Sequence, residues 1–117
     1  MSSVDGYVVP VKAANREAYQ AMAINAAALW KEHGALTVVE CWGEDVPEGK
    51  LTSFPMAVKL EKDETVVFSW VVWPSRAARD GGNKTAMTDP RTQLKPDEIP
   101  FDGKRIIFGG FEVIVEG

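Results

Sequence analysis

One cysteine and one histidine in 117 residues remove several chemistries at the outset. The lone thiol of Cys41 cannot close an internal disulfide, and with only His33 beside it no Cys- or His-rich metal site can be assembled. We therefore expect no metal and no cofactor. The lack of paired cysteines suits a reducing compartment. No apolar run approaches the ~20 residues that span a bilayer. The opening Met1-Ser2-Ser3-Val4-Asp5-Gly6 has neither the basic nor the apolar segment of a secretion signal. The expectation is a soluble, cytoplasmic protein with no membrane partner. Basic clusters are missing too: Gly103-Lys104-Arg105 holds the longest basic stretch, and the net charge is −4. Binding to a phosphate backbone depends on such clusters, so nucleic acid is not an expected partner. There is no phosphate-cradling loop, no dinucleotide glycine fingerprint after the first strand, and no serine nucleophile elbow.

What is present is an ordinary globular composition, 45% apolar and 26% charged, in a length that suits one domain over residues 1–117. Asp5 to Lys12 is β-branched and aromatic and reads as a strand, with Pro10 at an edge, a bulge or a strand end. Asn15 offers an N-cap. Tyr19, Met22, Ala23, Ala26, Leu29, Trp30 and His33 then recur at spacings of three and four, one face of a helix of about five turns, with Gly34 closing it. Ala35 to Trp42 reads as a second strand. Thr52 to Leu60, broken by Pro55, is either a helical turn or a short strand. Thr65 to Trp73 is a nearly unbroken run of β-formers, as in a central strand.

Ser75 is placed to cap a second helix from Arg76 to about Met87. Gly81-Gly82 inside it costs on the order of 2 kcal/mol relative to two alanines, which predicts a weak or kinked helix. Arg91 to Pro100 is a polar connection, and Arg105 to Val115 is a last strand in which Gly109-Gly110 marks a bulge or a close approach. The order β-α-β-β-α-β is that of a ferredoxin-like α+β fold: an antiparallel four-stranded sheet with its helices on one face. In the third strand Val66, Phe68, Trp70 and Val72 point one way, and Val67, Val71 and Trp73 the other. Both sides are apolar, and one helical layer covers only one of them. A second copy packed sheet to sheet would cover the other, so we expect a homodimer through the sheet face.

Several stretches carry a family resemblance. They are Asp5-Gly6-Tyr7-Val8-Val9-Pro10-Val11, Lys31-Glu32-His33-Gly34-Ala35-Leu36, Gly43-Glu44-Asp45-Val46-Pro47-Glu48-Gly49-Lys50 and Thr52-Ser53-Phe54-Pro55. Phe68-Ser69-Trp70, Trp73-Pro74-Ser75-Arg76-Ala77-Ala78-Arg79-Asp80, Pro100-Phe101-Asp102-Gly103-Lys104-Arg105 and Gly109-Gly110-Phe111 extend it over almost the whole chain. Together they resemble the YbaA-like family, a domain of unknown function. The resemblance implies the dimeric α/β-barrel superfamily, in which two ferredoxin-like sheets face each other. Gly81-Gly82 departs from the bulkier helix formers expected there. The family has no assigned activity and lends no catalytic residues.

A few residues stand out as site candidates. His33 is either a general base near neutral pH or a helix-terminal histidine favoured by the helix dipole. Glu40 alternates with Leu36, Val38 and Trp42 on one strand side, so it is either a proton-transfer carboxylate or a strand-end residue paired with a cation. Cys41 points to the opposite side and reads as an inert thiol or a reactive one. Tyr7, Trp42 and Trp70, with Trp30, Trp73 and Phe68, either line a pocket for a flat apolar ligand or are core and interface. Arg76 and Arg79 either pair with Asp80 or hold an anionic ligand at the helix start. Two functional expectations follow: a binding protein whose cleft between sheet and helices takes a small molecule or a partner, or a cofactor-independent oxygenase or isomerase using Glu40 or His33.

Overall fold

Two ten-residue strands rich in valine form the centre of the sheet. In the computed structural model, which describes residues 2–117, β1 (Ser3–Lys12) and β3 (Glu64–Trp73) pair antiparallel from Ser3 opposite Trp73 to Lys12 opposite Glu64. β2 (Thr37–Trp42) adds to the outer side of β3, and β4 (Ile107–Glu112) to the outer side of β1. The sheet order is β2-β3-β1-β4 and every neighbouring pair is antiparallel. Pro10 sits in a central strand without breaking it. β4 stops opposite Val8, so beyond that point one side of β1 faces no strand of β4 and needs no donor from Pro10.

α1 (Arg16–Glu32) and α3 (Arg76–Thr88) lie on one side of the sheet. The residues they cover are Val9, Val11 and Val67, packed with Tyr19 and Ala23 of α1, and Val71 and Trp73, packed with Ala35 and Trp30. The Trp73 ring is sealed at 0% exposure, and its indole N–H donates to Asp5 Oδ2 at 3.0 Å. Gly34, at φ 109°, turns the chain out of α1. Asn15 stands at the N-cap position but makes no capping bond; its side-chain amide donates to the Pro100 carbonyl instead. Ser75 does cap α3, accepting from the Ala78 N–H at 3.0 Å.

Three expectations change. The Thr52 to Leu60 stretch becomes a single helical turn, α2 (Phe54–Ala57), capped by Ser53 Oγ, with Pro55 in its first turn. α2 lies on the opposite side of the sheet from α1 and α3. There Phe54 meets Phe68 edge-on, and Val58, just after the turn, packs on Val8 and Val66. The helices are therefore not confined to one face. Second, β4 is shorter than the apolar run from Arg105 to Val115. Arg105 is held outside the ladder by Glu64, Asp102 and the carbonyls of Val58 and Lys59, and past Glu112 only the Val113 N–H, donating to the Ser2 carbonyl, continues the pairing.

Third, α3 runs unbroken through Gly81-Gly82. A Cβ on Gly82 would fall inside the Trp73 ring's envelope and 2.7 Å from the His33 carbonyl oxygen. Glycine is needed there for α3 to close on β3 and on the end of α1, and that packing offsets its helix-propensity cost. Gly110 has a similar role, because a Cβ there would lie 2.7 Å from the Arg79 guanidinium. Among the described residues no helix is long and apolar enough to cross a membrane.

Candidate functional site

An opening between a helix and the sheet lies where α1 crosses the edge strand β2. On α1, Tyr19, Ala23 and Ala27 recur every four residues and present one phenol and two methyl groups. On β2, Val38, Glu40 and Trp42 alternate toward the same side. The two alanines are too small to fill the gap, and a cavity of about 430 Å³ remains, lined also by Arg16, Gln20, Ile24 and Val67.

Its polar centre is Glu40. The buried phenol of Tyr19 donates to Glu40 Oε1 at 2.7 Å, while the rest of the carboxylate stays open to the cavity and to solvent. Partial burial against the apolar wall raises the pKa of Glu40, and hydrogen bonding from Tyr19 and Ser69 works against that rise. The Tyr19 phenol is raised far above its ordinary value, by burial and then by the adjacent Glu40. The strand register sets Glu40 opposite Ser69 and Ser69 opposite Tyr7, so these three form a polar row across the covered side of the sheet. Tyr7 is pushed up to about 12, by burial first and then by Asp5. At the cavity mouth the Arg16 guanidinium lies 5.2 Å from the centre of the Trp42 ring, a cation–π contact.

Of the other candidates only Cys41, on β2, also contributes to the cavity wall. His33 caps α1 at its far end, with Nε2 3.3 Å from Asp89 Oδ2 and Nδ1 3.0 Å from Thr85 Oγ1. It is fourteen residues along α1 from Tyr19, or about 21 Å at helical rise. Trp70 lies on the opposite side of the sheet from Trp42, with Val4, Val8, Phe68, Ile107 and Phe111 around a shallow apolar hollow of about 480 Å³. Cys41 lies opposite Phe68 in the ladder and shares that side of β2. Arg76 bonds to Asp80. Arg79 reaches Asp5 Oδ1 at 2.7 Å as well as Asp80, which leaves little of its charge for a ligand.

Three residues of the site region escaped the sequence reading in their roles. Tyr19 reads as part of an apolar helix face, and Arg16, three residues before it, carries no signal of its own in the sequence. Asp5 is a buried carboxylate that gathers donors from Trp73, Arg79 and Asn83. Its signal is the alternation Asp5, Tyr7, Val9, Val11, which places a charge in the row that faces the core.

Sheet order, covered core and edge cavity together define a small α+β protein with one antiparallel sheet and a helix-roofed cleft. Residues 2–103 match the family described as "Protein of unknown function (DUF1428)", and the chain belongs to that family. It is 54% identical over 116 residues, 99% of each chain, to "Uncharacterized protein YbaA" of Escherichia coli strain K12. Proteins of the same name from Escherichia coli O157:H7 and Shigella flexneri show the same identity and coverage. The family is one of unknown function, so the chemistry has to be argued from the cavity.

Proposed function

We propose that this protein binds a small organic molecule in the cavity between α1 and β2, and that it does so as a homodimer. One observation carries the binding half: a solvent-reachable carboxylate, Glu40, fixed by Tyr19 inside an otherwise largely apolar hollow of about 430 Å³. That volume falls within the ~300–1,000 Å³ of small-molecule sites, which are apolar with a few placed polar groups. The enzyme alternative is not favoured, because His33 is engaged at the other end of α1 and brings no second proton-transfer group to Glu40.

Two observations support the dimer. The order β2-β3-β1-β4 with antiparallel neighbours is that of a ferredoxin-like sheet, the unit that pairs in dimeric α/β barrels. The side away from α1 and α3 presents Val4, Phe68, Trp70, Ile107 and Phe111 with little polar surface. A cytoplasmic location belongs to the same reading and rests on the single unpaired cysteine.

A thermal-shift screen of small aromatic and aliphatic molecules, followed by calorimetric titration of the hits, tests the binding half. Hits are expected to stabilise the native protein and to lose affinity in Ala27→Phe, which fills the cavity. Binding that survives Ala27→Phe unchanged, or no hit up to millimolar concentration, would sink the reading.

A further inference from the structure

Resting on the cavity as a binding site, the charges along its walls restrict what can enter. Arg16 is exposed at the mouth, with its guanidinium over the Trp42 ring. Among the described residues it forms no ion pair: the other arginines are all engaged, Arg76 and Arg79 with Asp80, Arg91 with Asp89 and Glu32, and Arg105 with Glu64 and Asp102. Its face toward the cavity is therefore a cation without a counterion. Two residues back along the strand, about 7 Å away, stands Glu40. The Tyr19 hydroxyl already bonds to Oε1. Ser69 is the second donor neighbouring Glu40, and the carboxylate, with about four acceptor positions, still has room for an occupant and when ionised can only accept. Between and beyond these two groups the walls are Ala23, Ala27, Val38 and Val67, which offer no hydrogen bond from their side chains.

We infer that the occupant is a small organic monoanion with a hydrogen-bond donor at the end remote from its charge: Arg16 and Gln20 hold the anionic group, Glu40 accepts the donor, and a slim apolar body lies along the alanine face of α1. The Arg16 guanidinium matches a carboxylate in a two-pronged contact that Lys could not copy. A phosphate ester is disfavoured, since its second negative charge would enter a cavity that already holds Glu40 and has only one cation to offset it. The contact of Arg16 with Trp42 holds the guanidinium before the ligand arrives, which reduces the ordering needed on binding.

Calorimetric titration with three probes tests this: 4-hydroxyphenylacetate has both groups, its methyl ester lacks the charge, and phenylacetate lacks the donor. The acid is expected to bind about 10-fold more tightly than the ester, the scale of one charge-assisted hydrogen bond. Arg16→Gln should erase that ratio while leaving ester binding unchanged. Arg16→Lys should restore only part of it. Glu40→Gln should weaken the preference for 4-hydroxyphenylacetate over phenylacetate without lowering the acid-to-ester ratio. Equal binding of acid and ester to the wild type, or equal losses for both in Arg16→Gln, would overturn the inference. Adding p-cresol separates the two levels. If it binds and no anion binds better, the anion assignment fails and the cavity reading stands. If neither it nor the anions bind, both fail.

Discussion

The two sides of the sheet distribute their side chains against the usual pattern. Under α1 and α3 lie Asp5, Tyr7, Ser69 and Glu40, four polar groups on the protected side. The side without those helices carries Val4, Phe68, Trp70, Ile107 and Phe111. A sheet side meant for water ordinarily alternates to polar residues. Polar groups tolerate cover when each has a partner, as Asp5 does with three donors and Glu40 with Tyr19. Apolar groups left bare have no such compensation. The difference teaches that the protected side is organised around hydrogen-bonded groups and a cleft, while the other side presents an apolar surface, the one on which the proposed dimer rests.

Trp73 and Trp70 share one strand and give the largest contrast. Trp73→Ala is expected to cost about 4 kcal/mol, the range for emptying a buried aromatic site, in urea unfolding compared at one fixed protein concentration. Trp73 faces α1 and α3, so it reports on the covered core and not on the proposed dimer face. Trp70→Asp on the bare side should instead convert the protein to a folded monomer in sedimentation equilibrium, with far-ultraviolet circular dichroism unchanged. A dimer that survives Trp70→Asp, or a monomeric wild type at micromolar concentration, would break the comparison.

The paired glycines of α3 provide a sharper, smaller test. Gly82→Ala should destabilise by about 2 kcal/mol through overpacking on Trp73. Gly81→Ala, with nothing within 4 Å of the added methyl, should stabilise by about 1 kcal/mol through helix propensity alone. If both alanines stabilise, the tight seat of α3 on the sheet is not real.

The smallest effect is on pH dependence, and Glu40 and Glu64 should differ in sign. The pKa of Glu40 is raised in the folded protein, chiefly by burial. Below the unfolded value both states are protonated and nothing is lost. As pH rises through the unfolded and then the folded pKa, the unfolded chain ionises first and stability falls. Glu64, at the α2 end of the bare side, is lowered by its two bonds from Arg105. Its contribution is present above the unfolded value and is lost as pH falls through the folded one. Urea midpoints from acid to neutral pH should show that Glu40→Gln removes a decline on raising pH, and Glu64→Gln a decline on lowering it. The same sign for both variants would contradict the two environments.

Much of this was readable from residue order. β1 and β3 announce themselves by β-branched runs, Ser75 and Gly34 act at the helix ends where they were expected, and alternation alone places Trp70 and Trp73 on opposite sides. Glu40 stood out because it interrupts an apolar row. The rest depends on distances between elements that are remote in sequence. Tyr19 and Arg16 matter only because α1 crosses β2 at their level, and an apolar helix face does not say which strand it will lie over. Trp42 and Trp70 were grouped as one aromatic set because strand register, not composition, decides that the sheet separates them. α2 owes its side to the contacts of Phe54 and Val58 with β3, and Pro55 alone could not foretell that.

The gathering of donors at Asp5 has a consequence for motion. One carboxylate holds the end of β3 through Trp73, and two successive turns of α3 through Arg79 and Asn83. α3 cannot lift away one turn at a time without leaving that buried charge short of partners. Its opening is therefore cooperative. Although it is the shorter of the two long helices and contains adjacent glycines, the amides of α3 should exchange with solvent as a single unit, at a rate tied to that of the end of β3 rather than to the fraying of its own termini.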